Sequence, residues 1–563
     1  MLTCCLKGFL RISLLLGLNF YVLPLFTQGL PVPLDNPGID WIERLQIKTG
    51  IKLSTHNALK NYQRKIVWDF TKNLDTISGL SVVDQANITW LKNDNNDWAD
   101  STYNSPGKGI FSWFYPRKYH AFEVNTPDLS LRLNPILYLQ AGPMGDKPYF
   151  FNQRGIDFRA NLDRFYIVFT LLETQALFPS FIDRLYGQFE SIPGAHWVKT
   201  EAYPKIIGFP YRYDFLNGKG IWGTNISKFL NLEMGFGNHK IGNGYRSLLL
   251  SDIATYYPYL KLNWQVWKIH FQNIYGQLSA SSTNLTRDRL VPGKYFASHQ
   301  LSVELLPGLQ AGLFESIIFS RSAGFELTYL NPFALYRVTE GSLGSPDNIL
   351  IGGDFRWNLF KKIQIYGQFI FDEFRFNELF VNRRGWWGNK WGLQGGLKYI
   401  NIFGIPQLDF QYERNIVRPY TYAQYRADDI SYTHHTQMLA HPLGANFKES
   451  LFRLQWQPHH RIHLDAKYFY INKGLDQENL NYGGNPMADG NKRPQEFGNF
   501  TGQGLHTDIN IMALDLRIAL GHQIFWDIGY FSRIEKQQSN PKLKDSYLRT
   551  GIRMNVGSWK TEY

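Results

Sequence analysis

Three tryptophans and three cations fall within the ten residues Asn382–Trp391, which read NRRGWWGNKW. The flat faces of Trp386, Trp387 and Trp391 are suited to stacking on sugar rings. Arg383, Arg384 and Lys390 are suited to uronate or phosphate, the arginines in a two-pronged way. The same residue types serve a second purpose, an aromatic girdle at a membrane surface with cations against lipopolysaccharide phosphates. Tyr420, Tyr422 and Tyr425, in PYTYAQY, carry the same pair of readings.

Other chemistry finds less support. His434 and His435 are adjacent, with His441 nearby, but neighbouring histidines rarely converge on one ion, so they read as ordinary loop residues. His459 and His460 fall in a tight turn and read likewise. Asp372 and Glu373 are consecutive in a strand and point to opposite faces, which is not a glycosidase pair. The glycines of GFGNHKIGNG lack the Lys-Ser/Thr ending and strand-to-helix setting of a phosphate loop. Ser251-Asp252 joins no hydrolase motif. No catalytic residue, metal site or cofactor is expected. Nucleic acid would use similar basic and aromatic chemistry, but export and the strand pattern below argue against it.

The elements that hold these residues follow from composition and period. The chain has 563 residues, of which 16% are aromatic and 19% charged, with 49 glycines. Mean hydropathy is −0.31. Disordered chains are aromatic-poor, and helical membrane proteins are far more apolar. A transmembrane β-barrel fits, because its alternation keeps the average low. Residues 1–29 read as an export signal: Lys7 and Arg11, an apolar run from Ile12 to Phe26, then Thr27-Gln28-Gly29. Cys4 and Cys5 precede that run, so a processed chain has no cysteine. Net charge is +12, or +10 without Lys7 and Arg11, which suits anionic polymers or headgroups.

Residues 30–110 read as a small helical region. Trp41, Ile42 and Leu45 form one stripe, Ile66, Val67, Phe70 and Leu74 a second, and Ser81–Leu91 a third helix. Asn93–Asp100 reads as an acidic loop. From about residue 118 onward the period becomes two, and residues 111–563 read as the barrel. Leu548, Thr550, Ile552, Met554 and Val556 alternate with Tyr547, Arg549, Gly551, Arg553 and Asn555: one face for lipid, one for a polar lumen. Strands at 363–372, 407–413, 452–457, 462–470 and 524–531 repeat this. Tight turns at 267–268, 307–308, 359–361, 404–405, 458–461 and 521–523 alternate with long polar links. Short periplasmic turns and long extracellular loops do this in outer-membrane barrels. Thirteen strands are expected after residue 259. Five more, near 118–125, 129–140, 150–159, 163–172 and 226–238, bring the total to about 18. Residues 179–190 read as a helix on the periplasmic side.

Several segments together resemble a known family. They are IGNGYRSLLLSD at 241–252, FELTYLNPFALYR at 325–337, GSPDNILIGGDF at 344–355 and IYGQFIFDEF at 365–374. IDWIERL at 39–45, NYQRKIV at 61–67, RGIDFRANL at 154–162 and FESIPGAHWVK at 189–199 also fit. The chain resembles the Wzi-type capsule assembly proteins of the Gram-negative outer membrane, close to the branch of the gliding motility protein RemB. NYQR lacks the proline expected before the tyrosine. The positions taken from the motifs are Tyr245, Arg246, Ser247, Asp252, Asn331, Asp347, Asn348, Asp372 and Glu373. The resemblance implies an outer-membrane barrel with a helical periplasmic part that binds, assembles or retains surface polysaccharide, without catalysis. The implied partners are outer-membrane lipid and lipopolysaccharide, an anionic polysaccharide, and gliding or export proteins. A gliding-machinery component and a diffusion channel are the alternatives.

Overall fold

The computed structural model describes residues 29–98, 119–126, 128–280, 293–321, 324–424, 430–477, 479–538 and 541–563. The leader up to Gln28, together with Tyr425, lies outside the described residues.

Eighteen antiparallel strands close into a barrel. They are β1 Leu129–Met144, β2 Lys147–Leu162, β3 Phe165–Leu177, β4 Tyr213–Ser227, β5 Leu230–Gly237, β6 Tyr257–Val266, β7 Ile269–Ser279, β8 Gly293–Leu306 and β9 Leu309–Ser320. The rest are β10 Asn348–Leu359, β11 Ile363–Glu373, β12 Lys390–Tyr399, β13 Leu408–Val417, β14 Phe447–His459, β15 Ile462–Leu475, β16 Leu505–Gly521, β17 Ile524–Gln537 and β18 Leu543–Met554. Each pairs with the next. Closure comes from β18 on β1, with Leu137 opposite Met554 and Ala141 opposite Thr550. Alternation sorts the two faces as the period demands. In β18, Leu548 and Ile552 are half exposed on the outer wall, while Tyr547, Arg549 and Arg553 are buried in the lumen.

The connections sort by length. Turns such as 163–164, 228–229, 267–268 and 522–523 define a turn end. Links such as 178–212, 321–347, 418–446 and 476–504 define a loop end. Three sequence expectations need correction. The segment near 118–125 is not a stave: Phe122–Asn125 only pairs with the start of β1. The segment near 226–238 holds parts of two strands, β4 and β5, joined at Lys228-Phe229. The two errors cancel in the count. The helix expected at 179–190 exists as Ser180–Phe189 but sits at the loop end, where Phe181 stacks on Phe531 of β17.

Three helices cap the turn end: α1 Gly38–Thr49, α2 Arg64–Leu74 and α3 Val82–Asp94. They pack around Ile42, Leu45, Val67, Phe70 and Leu91. The third begins at a capping box between Ser81 and Asp84, which satisfies free backbone donors. Polar contacts fasten the cap to the barrel. Arg44 reaches Asp84 and Asp409, Asn87 pairs with Gln457, and His56 bonds Ser302.

The lumen is filled by the chain itself. The link 238–256 folds inward from the loop end, and residues 555–563 fold back after β18. Leu248, Leu249 and Leu250 are fully buried against Leu350, Ile370 and Val417. Two cavities of about 220 and 260 Å³ remain beside the returning tail.

Candidate functional site

The loop 374–389 docks on the loop 476–504 at the loop end. Three backbone bonds join them, including Trp387 N to the Glu496 carbonyl at 2.9 Å and Asn499 N to the Gly385 carbonyl at 2.9 Å, and the Asn499 side-chain amide also donates to the Gly385 carbonyl. Gly385 adopts a positive φ of 71° and lies against the Asn499 backbone. A side chain there would be strained and would collide with the partner loop.

This docking separates the six residues of NRRGWWGNKW. Trp386 is 5% exposed, with the Arg375 guanidinium 4.1 Å from its ring centre, so its face is not free for a sugar. Trp387 is half-buried between two cations, Arg493 at 4.3 Å and Lys390 at 5.2 Å, with Tyr420 edge-on at 6.0 Å. Lys390 is buried, donates to the Ala423 carbonyl at 2.9 Å and pairs with Glu373 at 3.3 Å. Trp391 pairs with Phe371 on the outer wall. Arg384 is exposed, forms an ion pair with Glu378 and lies 4.4 Å over Phe497. That pairing holds the Glu378 carboxyl below its usual range and the Arg384 guanidinium above it. Arg383 is exposed, its Nε donating to the Phe380 carbonyl at 3.1 Å. Among the described residues no carboxylate lies within ion-pair distance of Arg383.

The surface that can meet a ligand is therefore Arg383, Arg384, the open side of Trp387, and exposed Phe380, Phe497 and Phe500. Its chemistry is cationic and aromatic, suited to an anionic sugar. Sequence reasoning missed Arg375, Arg493 and Phe497. They come from other segments, so no local spacing signals them.

Tyr420 and Tyr422 are not available for stacking. Both are about 1% exposed, and their hydroxyls donate to the carbonyls of Asn481 and Leu248 at 2.8 Å. His434 is buried: its Nδ1 accepts from Ser279 N at 3.0 Å, and Nε2 sits 3.1 Å from the Tyr256 carbonyl. Those bonds suit a neutral ring, and burial pushes His434 down to about 3 and His435 to about 4. His441 bonds Glu449 at 2.8 Å.

The motif positions act as fasteners. The backbone N–H groups of Tyr245 and Arg246 donate to Glu413. The Arg246 side chain bonds the Glu562 carbonyl and lies 3.5 Å from Glu449. Ser247 Oγ donates to the Ile241 carbonyl. Asp252 pairs with Lys560 at 2.7 Å, locking the inserted segment to the tail. Glu562 meets Lys467, which with Arg246 overrides burial and holds its carboxyl at about 2. Asn331 accepts Phe333 N. Asp347 binds Arg321 at 2.8 and 2.7 Å and Tyr329 at 2.8 Å. Asn348 donates to the Ile430 carbonyl, Asp372 accepts Tyr422 N, and Glu373 reaches Lys390. None of these joins the exposed platform directly; Asp372 and Glu373 hold its neighbouring segments.

No family model and no curated protein matches the chain. Among solved structures the chain is similar to Wzi of Escherichia coli, described as an outer membrane protein involved in group 1 capsule assembly and a carbohydrate-binding β-barrel. The TM-score is 0.57 at 12% identity, over 94% of this chain and 100% of that one. Pseudomonas aeruginosa OprD gives a TM-score of 0.39 at 8% identity, over 78% and 97%. OpdK of the same organism, solved with vanillate, gives 0.42 at 8%, over 75% and 98%. At these identities the likeness is one of fold: a closed barrel of the outer-membrane type.

Proposed function

We propose that this protein is a non-enzymatic outer-membrane β-barrel that binds and retains an anionic polysaccharide at the cell surface. One observation carries the reading. The lumen is occupied from both ends by the chain's own segments, while the loop end presents a platform of exposed arginines and aromatic rings. A barrel closed inside and adhesive outside is built to hold something, not to pass it. The apolar outer wall suits a bilayer. Short turns and the helical cap then face the periplasm, and long loops face outward. Wzi, similar in fold, is described as carbohydrate binding, which agrees. Many copies on one long polymer turn weak single contacts into firm retention.

The purified protein is expected to bind surface polysaccharide from its own organism in a salt-sensitive manner. Arg383→Glu with Arg384→Glu is expected to abolish that binding while the fold persists. Equal binding by the double variant would overturn the role of the platform. Planar-bilayer recordings test the channel alternative and are expected to show no steady conductance. A motility role rests on the sequence resemblance to the gliding branch; a spreading assay on a strain lacking the protein separates it from retention.

A further inference from the structure

Residues 324–347 do not stay at the loop end. They fold over the outer wall of β6–β10 as a strap. Tyr275, Ala297, Ile317, Phe319 and Ile349 point outward, yet they are at most 6% exposed because Tyr329, Tyr336, Phe325 and Leu330 cover them. The wall is specialised to receive it. Asn273, His299 and Glu315 stand side by side as polar residues on an outward face that is mostly apolar. Asn273 donates to the Pro332 carbonyl at 3.0 Å, and Glu315 accepts from Tyr336 N and Arg337 N at 3.0 and 3.1 Å. The Tyr275 hydroxyl donates to the Leu330 carbonyl. In hydrocarbon such backbone groups must be satisfied within the protein.

Below the strap an apolar groove of about 600 Å³ lies between Phe333 and Leu335 on one side and Phe271, Leu301 and Leu313 of the wall on the other. It runs from Ile269, beside the Trp267-Lys268 turn, to His299, which stands opposite Asn273 in the ladder. Four residues of strand span about 13 Å, which a strand tilt of about 40° turns into about 10 Å of depth. The groove therefore lies within one leaflet of a hydrocarbon core of about 30 Å. Next to its lining residues Val266 and Ile269, the turn carries exposed Lys268, whose ammonium lies 5.2 Å over the Trp267 ring.

We propose that this groove holds one acyl chain of a phospholipid from the turn-end leaflet, with the lipid phosphate at Lys268. The occupant is set by place and charge: the groove lies on the face that meets hydrocarbon, stays within one leaflet in depth, and has an exposed cation on the adjoining turn. The proposal rests on the membrane reading given above. Protein extracted in mild detergent is expected to retain about one phospholipid per barrel through delipidating washes, counted by native mass spectrometry and lipid extraction. Leu313→Trp, which fills the groove from the wall, and Leu335→Trp, which fills it from the strap, are each expected to remove that lipid. Lys268→Glu is expected to lower retention at least severalfold. Leu548→Trp, on another part of the wall, is expected to change nothing. Heat-modifiable gel migration verifies that each variant is folded. Folded groove-filling variants that retain lipid like the wild type would overturn the proposal, as would a wild type that retains none. A wild type absent from the outer-membrane fraction would instead sink the membrane reading itself.

Discussion

At the scale of single residues, exposure decides which side chains of NRRGWWGNKW meet a ligand. Arg383→Ala removes a charge that has no carboxylate partner among the described residues. It is expected to weaken polysaccharide binding roughly tenfold, about 1.4 kcal/mol, with unchanged stability and a shallower salt dependence. Isothermal titration at two ionic strengths checks this. Trp386→Ala should behave oppositely. Its ring is buried under Arg375, so truncation is expected to cost about 3–5 kcal/mol of stability and to affect binding only through loss of the loop. A thermal melt beside the same titration separates the two effects. His434 makes a pH prediction. A histidine whose folded pKa is depressed favours unfolding once protons can bind the open state. Stability is therefore intact above about pH 6.5 and is lost as pH falls toward the folded value of about 3. Acidification from pH 7 to 4 is expected to speed hydrogen exchange in residues 430–440, and His434→Gln to flatten that response. Exchange rates that stay protected through pH 4 would contradict the assignment.

At the scale of elements, the barrel wall and the segments laid against it were unequally legible. The wall is written in a period of two, which β11, β14, β15 and β18 display directly. The capping helices were readable from their stripes, with Ser81 marking the third. Strand β4 was missed because Gly218, Gly220 and Gly223 interrupt its pattern. Gly223 has a packing reason: a Cβ there would strike the ring of Tyr166. The inserted segment, tail and strap were not legible as such, since their partners are remote. Gln368 of β11, for example, accepts from Leu248 N at 2.8 Å and donates to the Ile241 carbonyl at 3.0 Å. The motifs at 241–252, 325–337 and 344–355 were visible in sequence, but their work is internal fastening. Nothing local distinguishes a fastener from a binding residue. The strap gives the prediction at this scale. Glu315→Ala orphans two backbone donors at about 1–3 kcal/mol each, so segment 325–343 is expected to become protease-sensitive while the barrel stays folded. Equal resistance in variant and wild type would argue against the strap's polar anchoring.

At the scale of the whole molecule, closure at both ends is what separates a holder from a pore. The turn end is capped by α1–α3, and the lumen is filled by 238–256 from the loop end and by 555–563 from the turn end. Removing residues 30–98 is expected to leave conductance low, because the inserted segment still fills the upper lumen. Combining that deletion with Gln368→Leu, which frees the inserted segment, is expected to give measurable current. A steady large conductance from the intact protein would refute closure. Retention of polysaccharide by the outward platform is tested by measuring surface-bound and shed polysaccharide on cells carrying the wild type, no protein, or Arg383→Glu with Arg384→Glu. Both altered strains are predicted to shed the polymer into the medium at unchanged total synthesis. Polymer that stays on cells lacking the protein would contradict the claim.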